Sequence, residues 1–240
     1  MGHAMQFDEA VALQRKYYAE TASQYNDMHV CEAHEHRFAL CAMLGWMEYL
    51  GIDSVLDLGS GTGRVLSAIK KRSPAVTVLG IEPVAELRGV GHAQGIGVDE
   101  LVEGDAMHLD LMDASWDLVC AFGILHHVPT PRAVVSEMLR VARKAIFISD
   151  NNNFGQGSLV SRALKQASHG LGLWPLINFL KTGGRGYTVS EGDGVVFSYS
   201  VFNDFAYIKR NCKNVCLFNT TPAGCNLYRT ASHLGLIGIK

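Results

Sequence analysis

Residues 55–64 read VLDLGSGTGR, and this stretch decides the fold of the chain. The apolar run from Ser54 to Leu58 is typical of a short strand buried on both faces of a sheet. Glycines follow at three alternate positions, and apolar residues then recur at helical spacing from Val65 to Ile69. Glycine suits such a turn because it accepts positive φ and lets a ligand touch the backbone. The stretch therefore predicts a strand, a tight ligand-binding turn and a helix.

The spacing of the glycines separates two classes of nucleotide cofactor. Dinucleotide-binding turns follow G-x-G-x-x-G, in which the last glycine permits close packing of helix and strand. Here the pattern is G-x-G-x-G, and Arg64 occupies the position that would complete the other pattern. The carboxylate of Asp57 disfavours a pyrophosphate and favours a cationic ligand with an amino-acid portion. An NAD(P)-dependent oxidoreductase is therefore the less favoured alternative.

The stretch resembles motif I of the class I S-adenosylmethionine-dependent methyltransferases, in the form D-x-G-x-G-x-G. The resemblance covers residues 7–150, is most specific over 55–131, and is to the small-molecule group (methyltransferase type 11, UbiE-like). It implies S-adenosylmethionine as the cofactor, S-adenosylhomocysteine as the product, and methyl transfer to an O or N atom of a small-molecule acceptor. A protein that keeps this fold and binds the cofactor without catalysis is the alternative from another class.

Residues at the ends of later strands are predicted to complete the cofactor site. Glu82 lies 19 residues past the last glycine of the turn, near the spacing at which a carboxylate meets a ribose hydroxyl pair. The resemblance assigns Asp105 and the N–H of Ala106 to the adenine ring. Residues 17–27 resemble a segment that folds over the cofactor, although a helix packing its tyrosines is an equal alternative. The predicted cofactor-binding residues are Tyr17, Tyr25, Asp57, Gly59, Ser60, Gly61, Gly63, Glu82, Pro83, Gly104, Asp105, Ala106, Met107, Phe122, Gly123 and His127.

Two adjacent histidines are the catalytic candidates. His126 and His127 follow the fourth predicted strand, at the edge where cofactor and acceptor should meet. Imidazole is the side chain whose ordinary pKa suits proton transfer near neutral pH. The L-H-H-V sequence also resembles a loop of small-molecule methyltransferases that more often shapes the cofactor pocket. Base catalysis and packing beside the cofactor therefore both stay open for this pair.

The sequence predicts no metal site. His34 and His36 lie two residues apart on a predicted helix and so face different ways, which leaves both half-exposed. Asp150 and Asn151 resemble the Asp-Asn pair of magnesium-dependent catechol methyltransferases, but the aspartate that those enzymes carry after the fourth strand is missing. The cysteines form no C-x-x-C pair and are expected to be free, mostly buried thiols; they are Cys31, Cys41, Cys120, Cys212, Cys216 and Cys225.

Composition narrows the choice of partners. The chain has 240 residues, of which 48% are hydrophobic and 18% charged, and its net charge is −2. This balance gives no electrostatic footprint for nucleic acid, and the N/D-P-P-Y/F/W and Pro-Cys loops of nucleic-acid methyltransferases are absent. No apolar run approaches the roughly 20 residues that cross a bilayer, and the N-terminus lacks a secretory pattern. We therefore expect a cytoplasmic enzyme with a small-molecule acceptor, no nucleic-acid partner and no membrane span; the oligomeric state stays open.

The order of elements predicts an α/β fold with a Rossmann-like, doubly wound sheet and helices on both faces. Strands and helices alternate five times up to Ser149, which indicates a mostly parallel sheet. The helix that Thr130 caps is predicted to run to about Arg143. Two further apolar runs, 215–218 and 234–239, are predicted strands, and the resemblance implies that they form an antiparallel C-terminal hairpin.

We divide the chain into three parts. Residues 1–50 form an N-terminal helical cap, 51–150 and 201–240 form the cofactor-binding core, and 151–200 form an inserted lid that recognises the acceptor. The apolar and aromatic residues of the lid are expected either to contact a small organic acceptor or to form the core of the lid itself. They are Phe154, Leu173, Trp174, Leu176, Phe179, Tyr187, Phe197 and Tyr199.

Overall fold

The fold is built around one seven-stranded sheet. A computed structural model describes residues 2–29, 35–221 and 224–240 of the chain. The strands in these ranges are β1 (Ser54–Leu58), β2 (Thr77–Ile81), β3 (Leu101–Val102), β4 (Trp116–Phe122), β5 (Ala142–Asn151), β6 (Tyr187–Ser190), β7 (Gly194–Phe197), β8 (Asn214–Asn219) and β9 (His233–Ile239). The sheet has the order β3-β2-β1-β4-β5-β9-β8, whereas β6 pairs with β7 in a separate hairpin.

Helices cover both faces of this sheet. They are α1 (Gly2–Thr21), α2 (Tyr25–His29), α3 (Glu35–Leu50), α4 (Arg64–Arg72), α5 (Ala85–Ala93), α6 (Pro131–Val141), α7 (Leu159–Gly170), α8 (Trp174–Lys181) and α9 (Phe202–Asn211). On one face Met138 of α6 and Ile208 of α9 share a core with Ile146, and on the other Leu66 of α4 shares a core with Phe147. Neighbouring residues of β5 thus enter opposite cores, as the alternation of side chains along a strand requires. Within the described ranges, none of the helices combines the length and hydropathy that crossing a bilayer needs.

The strand directions bring ligand-binding ends to one edge. The β1–β2, β1–β4, β2–β3 and β4–β5 pairs are parallel, and β9 runs antiparallel to both β5 and β8. The register places Asp57 opposite Gly80 on one side and Cys120 on the other. The carboxyl ends of β1, β2 and β4 therefore meet where ligands bind in doubly wound folds. The predicted sheet, with its antiparallel C-terminal hairpin, is confirmed.

The turn after β1 needs all three of its glycines. Their φ angles are +64° at Gly59, +57° at Gly61 and +79° at Gly63, a region that residues with a Cβ rarely adopt. The N–H of Gly59 donates to the carbonyl of Ile81 at 2.9 Å, which ties the turn to β2. At Gly63, immediately before α4, a Cβ would overlap the side chain of Ile96. Residues 55–64 are strand, turn and helix as predicted.

One helix ends earlier than its apolar pattern indicates. The helix predicted to reach Arg143 ends at Val141, and β5 begins at once with Ala142. Ala142 is already extended and pairs with Trp116 of β4, so strand pairing ends the helix. Thr130 lies at the predicted N-cap position, but its side chain makes no capping hydrogen bond.

The described residues before β1 are mostly helical. A short 3-10 turn at Ala22–Gln24 separates α1 from α2, and α3 is described from Glu35 onward. The predictions for Cys31 and His34 lie outside the described residues.

The segment 151–200 contains α7, α8 and the β6–β7 hairpin. Strand β6 was not predicted: its sequence YTVS alternates apolar and polar residues, but the run is only four residues long. The hairpin packs on α1, where Tyr187 and Val195 share a small core with Ala10. The assignment of this segment as a lid stays a prediction.

The cysteines are more exposed than expected. Among the described residues, Cys41, Cys216 and Cys225 are exposed, Cys212 is half-buried and Cys120 is buried, all as free thiols. The expectation of mostly buried thiols is wrong because Cys41 is on the solvent side of α3 and Cys216 lies on β8, the edge strand.

Candidate functional site

A cleft of about 800 Å³ opens at the carboxyl edge of the sheet. The predicted cofactor residues that line it are Tyr25, Gly59, Glu82, Pro83, Asp105, Ala106, Met107, Phe122, Gly123 and His127. The sheet register accounts for most of this convergence because all of these residues except Tyr25 of α2 lie at or just after the ends of adjacent parallel strands.

Glu82 is held in place by the backbone on both of its oxygens. Its Oε2 accepts from the N–H of Gly61 and its Oε1 from the N–H of Val84, each at 2.9 Å. Burial raises the pKa of this carboxyl, while the two N–H donors oppose the rise. Each carboxylate oxygen retains a further lone pair. The side chain is thus a fixed double acceptor on the wall of the cleft, suited to a pair of hydroxyls.

Asp57 lies in a recess that adjoins the cleft. Its Oδ2 accepts from the hydroxyl of Ser60 at 2.7 Å, and its Oδ1 lies 3.4 Å from the Cys120 thiol that donates to it. Burial raises the pKa of Asp57 to about 6, although Ser60, Cys120 and the Arg64 guanidinium lower it in part. A cationic amino group bound in the recess would favour the ionised carboxylate.

The remaining predicted cofactor residues do not line the cleft. Ser60 belongs to the Asp57 recess, and Gly61 and Gly63 contribute backbone conformation to the turn. At Gly104 a Cβ would lie 2.7 Å from Ile81, so this glycine serves packing. The Tyr17 hydroxyl donates to the carbonyl of Glu191, and it is the adjacent tyrosine of α1 that lines the cleft.

A second cavity adjoins the cleft and is polar. It has an open volume of about 710 Å³ and shares Tyr18, Phe122 and His127 with the cleft. Imidazoles and one carboxylate dominate its wall, including those of His126 and Asp193. None of the eight apolar and aromatic lid residues singled out in the sequence lines either space. Contact of these residues with the acceptor stays a prediction, beside the alternative that they form the core of the lid.

The lid residues have other positions. Phe154, Tyr187 and Tyr199 are buried within the protein, whereas Leu176 and Phe179 are exposed on the outer face of α8.

His36, expected to be half-exposed, is also buried, because α3 turns it toward β5, where its Nδ1 lies 2.8 Å from Ser149 Oγ.

His126 is fixed by a buried carboxylate. Its Nδ1 lies 2.7 Å from Oδ1 of Asp150, whose other oxygen accepts from the N–H of Leu125 at 2.8 Å. Because a carboxylate can only accept, the proton of this bond is on Nδ1. Burial acts to lower the pKa of His126, but Asp150 and Asp193 outweigh it and raise the pKa to about 10. Asp150 was considered above as part of a magnesium pair, but both of its oxygens form hydrogen bonds within the protein, to His126 and to the N–H of Leu125.

His127 is fixed by a backbone carbonyl. Its Nδ1 lies 2.7 Å from the carbonyl of Val195 and must carry the proton of that bond. Its Nε2 lies 3.1 Å from the Tyr18 hydroxyl and 3.3 Å from Oδ1 of Asp193. Burial lowers the pKa of His127, and the neighbouring charge on His126 lowers it further.

Gln14, Tyr18 and Asp193 are site residues that the sequence analysis missed. The Gln14 amide donates to the carbonyl of Asp193 at 3.2 Å and accepts from the N–H of Val195, which joins α1 to the hairpin. The sequence signal for Asp193 is an acidic residue between Gly192 and Gly194, a pattern that by itself predicts only a turn. The two histidines keep the pKa of Asp193 well below its usual range, against the effect of burial.

The cleft thus combines a positive-φ glycine turn after β1, an acid after β2 and a second acid after β3 of an α/β fold. Residues 56–148 match a family model described as "Methyltransferase domain". This stretch is a class I S-adenosylmethionine-dependent methyltransferase domain, and S-adenosylmethionine is the cofactor of that domain. The resemblance predicted from the glycine turn is confirmed.

The chain is similar to curated methyltransferases over about half its length. It is 37% identical over 127 residues to a phosphatidylethanolamine N-methyltransferase of Cereibacter sphaeroides, a match covering 49% of this chain and 61% of that protein. It is 31% identical over 111 residues to a ubiquinone biosynthesis O-methyltransferase of Klebsiella pneumoniae, covering 45% and 46%. The chain thus spans less than two thirds of the length of these relatives.

Solved structures share the fold. An S-adenosylmethionine-dependent methyltransferase of Mesorhizobium loti aligns with a TM-score of 0.58 at 17% identity, over 87% of this chain and 99% of that one. A protein of Pyrococcus horikoshii OT3 aligns with a TM-score of 0.59 at 18% identity, over 94% and 99%. At these identities the likeness concerns the fold alone.

Proposed function

We propose that this protein transfers the methyl group of S-adenosylmethionine to an O or N atom of a small-molecule acceptor bound in the polar cavity. The observation that carries the proposal is the junction of two spaces: the cavity shares Tyr18, Phe122 and His127 with the cofactor cleft. A nucleophile in that cavity would approach the cleft at the shared wall. The relatives, named as an N-methyltransferase and an O-methyltransferase, support both acceptor atoms.

The cleft residues are assigned to the parts of the cofactor by their chemistry. Glu82 would accept from the two ribose hydroxyls, Asp105 would face the adenine, and Asp57 would face the amino group of the methionine portion. When bound, the sulfonium supplies an already activated methyl group. The contribution of the protein is therefore to position the two reactants, which accounts for roughly 7–11 kcal/mol of barrier in well-oriented reactions.

On the acceptor side, the electron pair on Nε2 of His127 is the group best placed to receive a proton. The lowered pKa of His127 keeps this imidazole neutral at pH 7, and its Nδ1 proton is held by Val195. His126, whose pKa is raised to about 10, is protonated at that pH and serves as a donor. Of the two candidates predicted from the sequence, the assignment as base thus goes to His127.

Calorimetry with S-adenosylhomocysteine tests the cofactor half of this proposal. We expect one site per chain, and a loss of affinity of at least about 100-fold in Glu82→Ala, since two hydrogen bonds to a buried carboxylate are lost. Glu103→Ala is the matched control because that acid also follows a strand but is exposed. A wild-type protein that ignores this ligand and binds NADH would instead support an oxidoreductase.

Release of S-adenosylhomocysteine in the presence of phenols, carboxylates and amines tests the acceptor half. We expect turnover with at least one class, lowered by about 100-fold or more in His127→Gln, because general base catalysis contributes roughly that factor. Stoichiometric cofactor binding without turnover on any member of the panel would favour the non-catalytic alternative.

A further inference from the structure

Three potential metal ligands converge at the wall of the polar cavity. The ligand atoms of His126, His127 and Asp193 all lie within 4.8 Å of one another, and no other such group occurs in the described parts of the chain. Nε2 of His126 is 3.5 Å from Asp193 Oδ2, and Nε2 of His127 is 3.3 Å from Asp193 Oδ1. The histidines come from the loop after β4, and the aspartate comes from the turn of the β6–β7 hairpin.

Both histidines are oriented in the way that metal-binding histidines usually are. Such residues donate their second ring N–H to a carboxylate or a backbone carbonyl, which fixes the tautomer and the direction of the other nitrogen. His126 has Asp150 in this role and His127 has the carbonyl of Val195, each at 2.7 Å. The remaining Nε2 atoms therefore face Asp193 with the tautomer that coordination requires.

The separations fit coordination better than direct hydrogen bonds. Charge-assisted N–H···O bonds are about 2.7–2.9 Å long, and both distances to Asp193 exceed this range. A tetrahedral ion with bonds of about 2.0–2.1 Å to nitrogen and oxygen holds its ligands about 3.3 Å apart. The observed distances of 3.3 and 3.5 Å are close to that edge length but run to the two different oxygens of Asp193, so the carboxylate would turn to present one oxygen to the ion.

The local charge leads to the same conclusion. Asp150 is wholly buried and Asp193 is half-buried, so two carboxylates lie against the imidazole pair. Buried charge is costly unless it is paired or coordinated. Once the ion displaces the Nε2 proton of His126, both imidazoles are neutral and one divalent charge would balance the two carboxylates. The Arg64 guanidinium, on the opposite part of the cavity wall, instead donates to the carbonyl of His29.

We propose that His126, His127 and Asp193 bind one divalent transition-metal ion, Zn²⁺ in the first instance, with a fourth position open to the cavity. Two imidazoles and one carboxylate suit ions of the zinc type, whereas Mg²⁺ and Ca²⁺ prefer oxygen ligands throughout. Three protein ligands and an open position are the arrangement of catalytic zinc sites. The sequence predicted no metal site because Asp193, which the hairpin brings to the two histidines, lies far from them along the chain.

The chemical role of the ion rests on the proposed methyl transfer, although the binding of the ion does not. The ion would polarise an acceptor O or N atom bound at its open position as a Lewis acid. Because the ion would take the His127 electron pair, the polarised acceptor would lose its proton to solvent, and its O or N electron pair would form the bond to the methyl carbon as the methyl–sulfur bond breaks. Because Asp193 belongs to the hairpin, the ion would also hold the hairpin against the loop after β4.

Metal content and zinc titration test the proposal on the full, untagged chain. After dialysis against a chelator, the wild type is expected to bind one Zn²⁺ per chain, and cobalt is expected to give the visible absorption of a tetrahedral site. Asp193→Asn and His126→Gln should each weaken binding by about 100-fold or more, and Asp150→Asn by about 10–100-fold, as for residues behind a ligand. Asp99→Asn and His92→Gln are the matched controls, since both residues are distant from the cavity.

The outcomes separate this proposal from the proposed function. The proposed metal site is overturned if the wild type takes up no more zinc than a His126→Gln/Asp193→Asn double variant. If that same protein still binds S-adenosylhomocysteine and releases it in the presence of an acceptor, the proposed function stands without the ion. Circular dichroism of each variant shows whether lost binding reflects lost folding. Because Asp193→Asn and His126→Gln change different elements, a loss of zinc binding in both is not explained by one local structural defect.

Discussion

The cofactor cleft and the polar cavity, which we call the cofactor half and the proposed acceptor half of the site, are built from different groups. The cofactor half consists of backbone N–H groups, positive-φ glycines and carboxylates that the sheet register holds at one edge. The acceptor half consists of side chains from a loop, a hairpin turn and α1, joined by hydrogen bonds that span 68 to 181 residues. The first half is thus part of the fold, whereas the second is assembled on it.

The largest expected effect tests whether the glycine turn is inseparable from the fold. Gly63→Val would combine positive φ with overlap on Ile96, so we expect a loss of about 3 kcal/mol or more in the free energy of unfolding. Denaturant titration measures it. Gly45→Ala is the control, since that helical glycine has open space around it and should gain about 0.5–1 kcal/mol. Equal stabilities in the two variants would contradict the comparison.

Asp57→Asn should separate ligand binding from stability within the cofactor half. The pKa of Asp57 is raised from 3.8 to about 6 in the folded protein, so its ionised form is destabilising at pH 7. Removing the charge should stabilise the ligand-free protein by up to about 3 kcal/mol, the equivalent of two pKa units. The same change should weaken S-adenosylhomocysteine binding by about 10–100-fold. Unfolding and calorimetry at pH 7 measure both, with Asp99→Asn as the matched surface control.

The pH dependence of cofactor binding sharpens this point. Because the folded pKa of Asp57 lies above its ordinary value, the folded protein takes up a proton as the pH falls through about 6. The ligand-free protein should gain stability there, while affinity for S-adenosylhomocysteine should fall by at most about tenfold per pH unit. Calorimetry from pH 8 to pH 5 measures the affinity. A profile for Asp57→Asn as steep as that of the wild type would assign the effect to another group.

The smallest expected effect concerns the independence of the two halves. Asp193→Asn alters the acceptor half only, so S-adenosylhomocysteine affinity should stay within about twofold of wild type, or about 0.4 kcal/mol, while turnover is lost. Calorimetry beside a turnover assay makes the comparison. A parallel loss of cofactor affinity would mean that the hairpin turn is energetically part of the cofactor half.

The difference between the halves also explains what the sequence predicts. Glu82 was identified because adjacent parallel strands must end at one edge, so a short stretch of sequence determines its position. Asp193 was not, because its neighbours His126 and His127 lie more than sixty residues away and the strands of the hairpin that presents it are only four residues long.

Side-chain direction is a further limit on such predictions. Tyr17 was predicted to contact the cofactor, whereas Tyr18 lines the cleft. The pattern of α1 does not distinguish the two adjacent tyrosines, because their directions depend on how α1 packs against the hairpin. His36 was likewise expected to be half-exposed because its burial depends on the packing of α3 over β5.

The bonds of Gln14 have a consequence for how molecules enter and leave. Its amide joins α1 to the backbone of the hairpin turn directly above the histidine pair, through Asp193 and Val195. We therefore expect α1 and the β6–β7 hairpin to move together as one unit. A chain shortened to begin after Gln14 would leave the imidazoles open to bulk water, even though nothing in the sheet had changed.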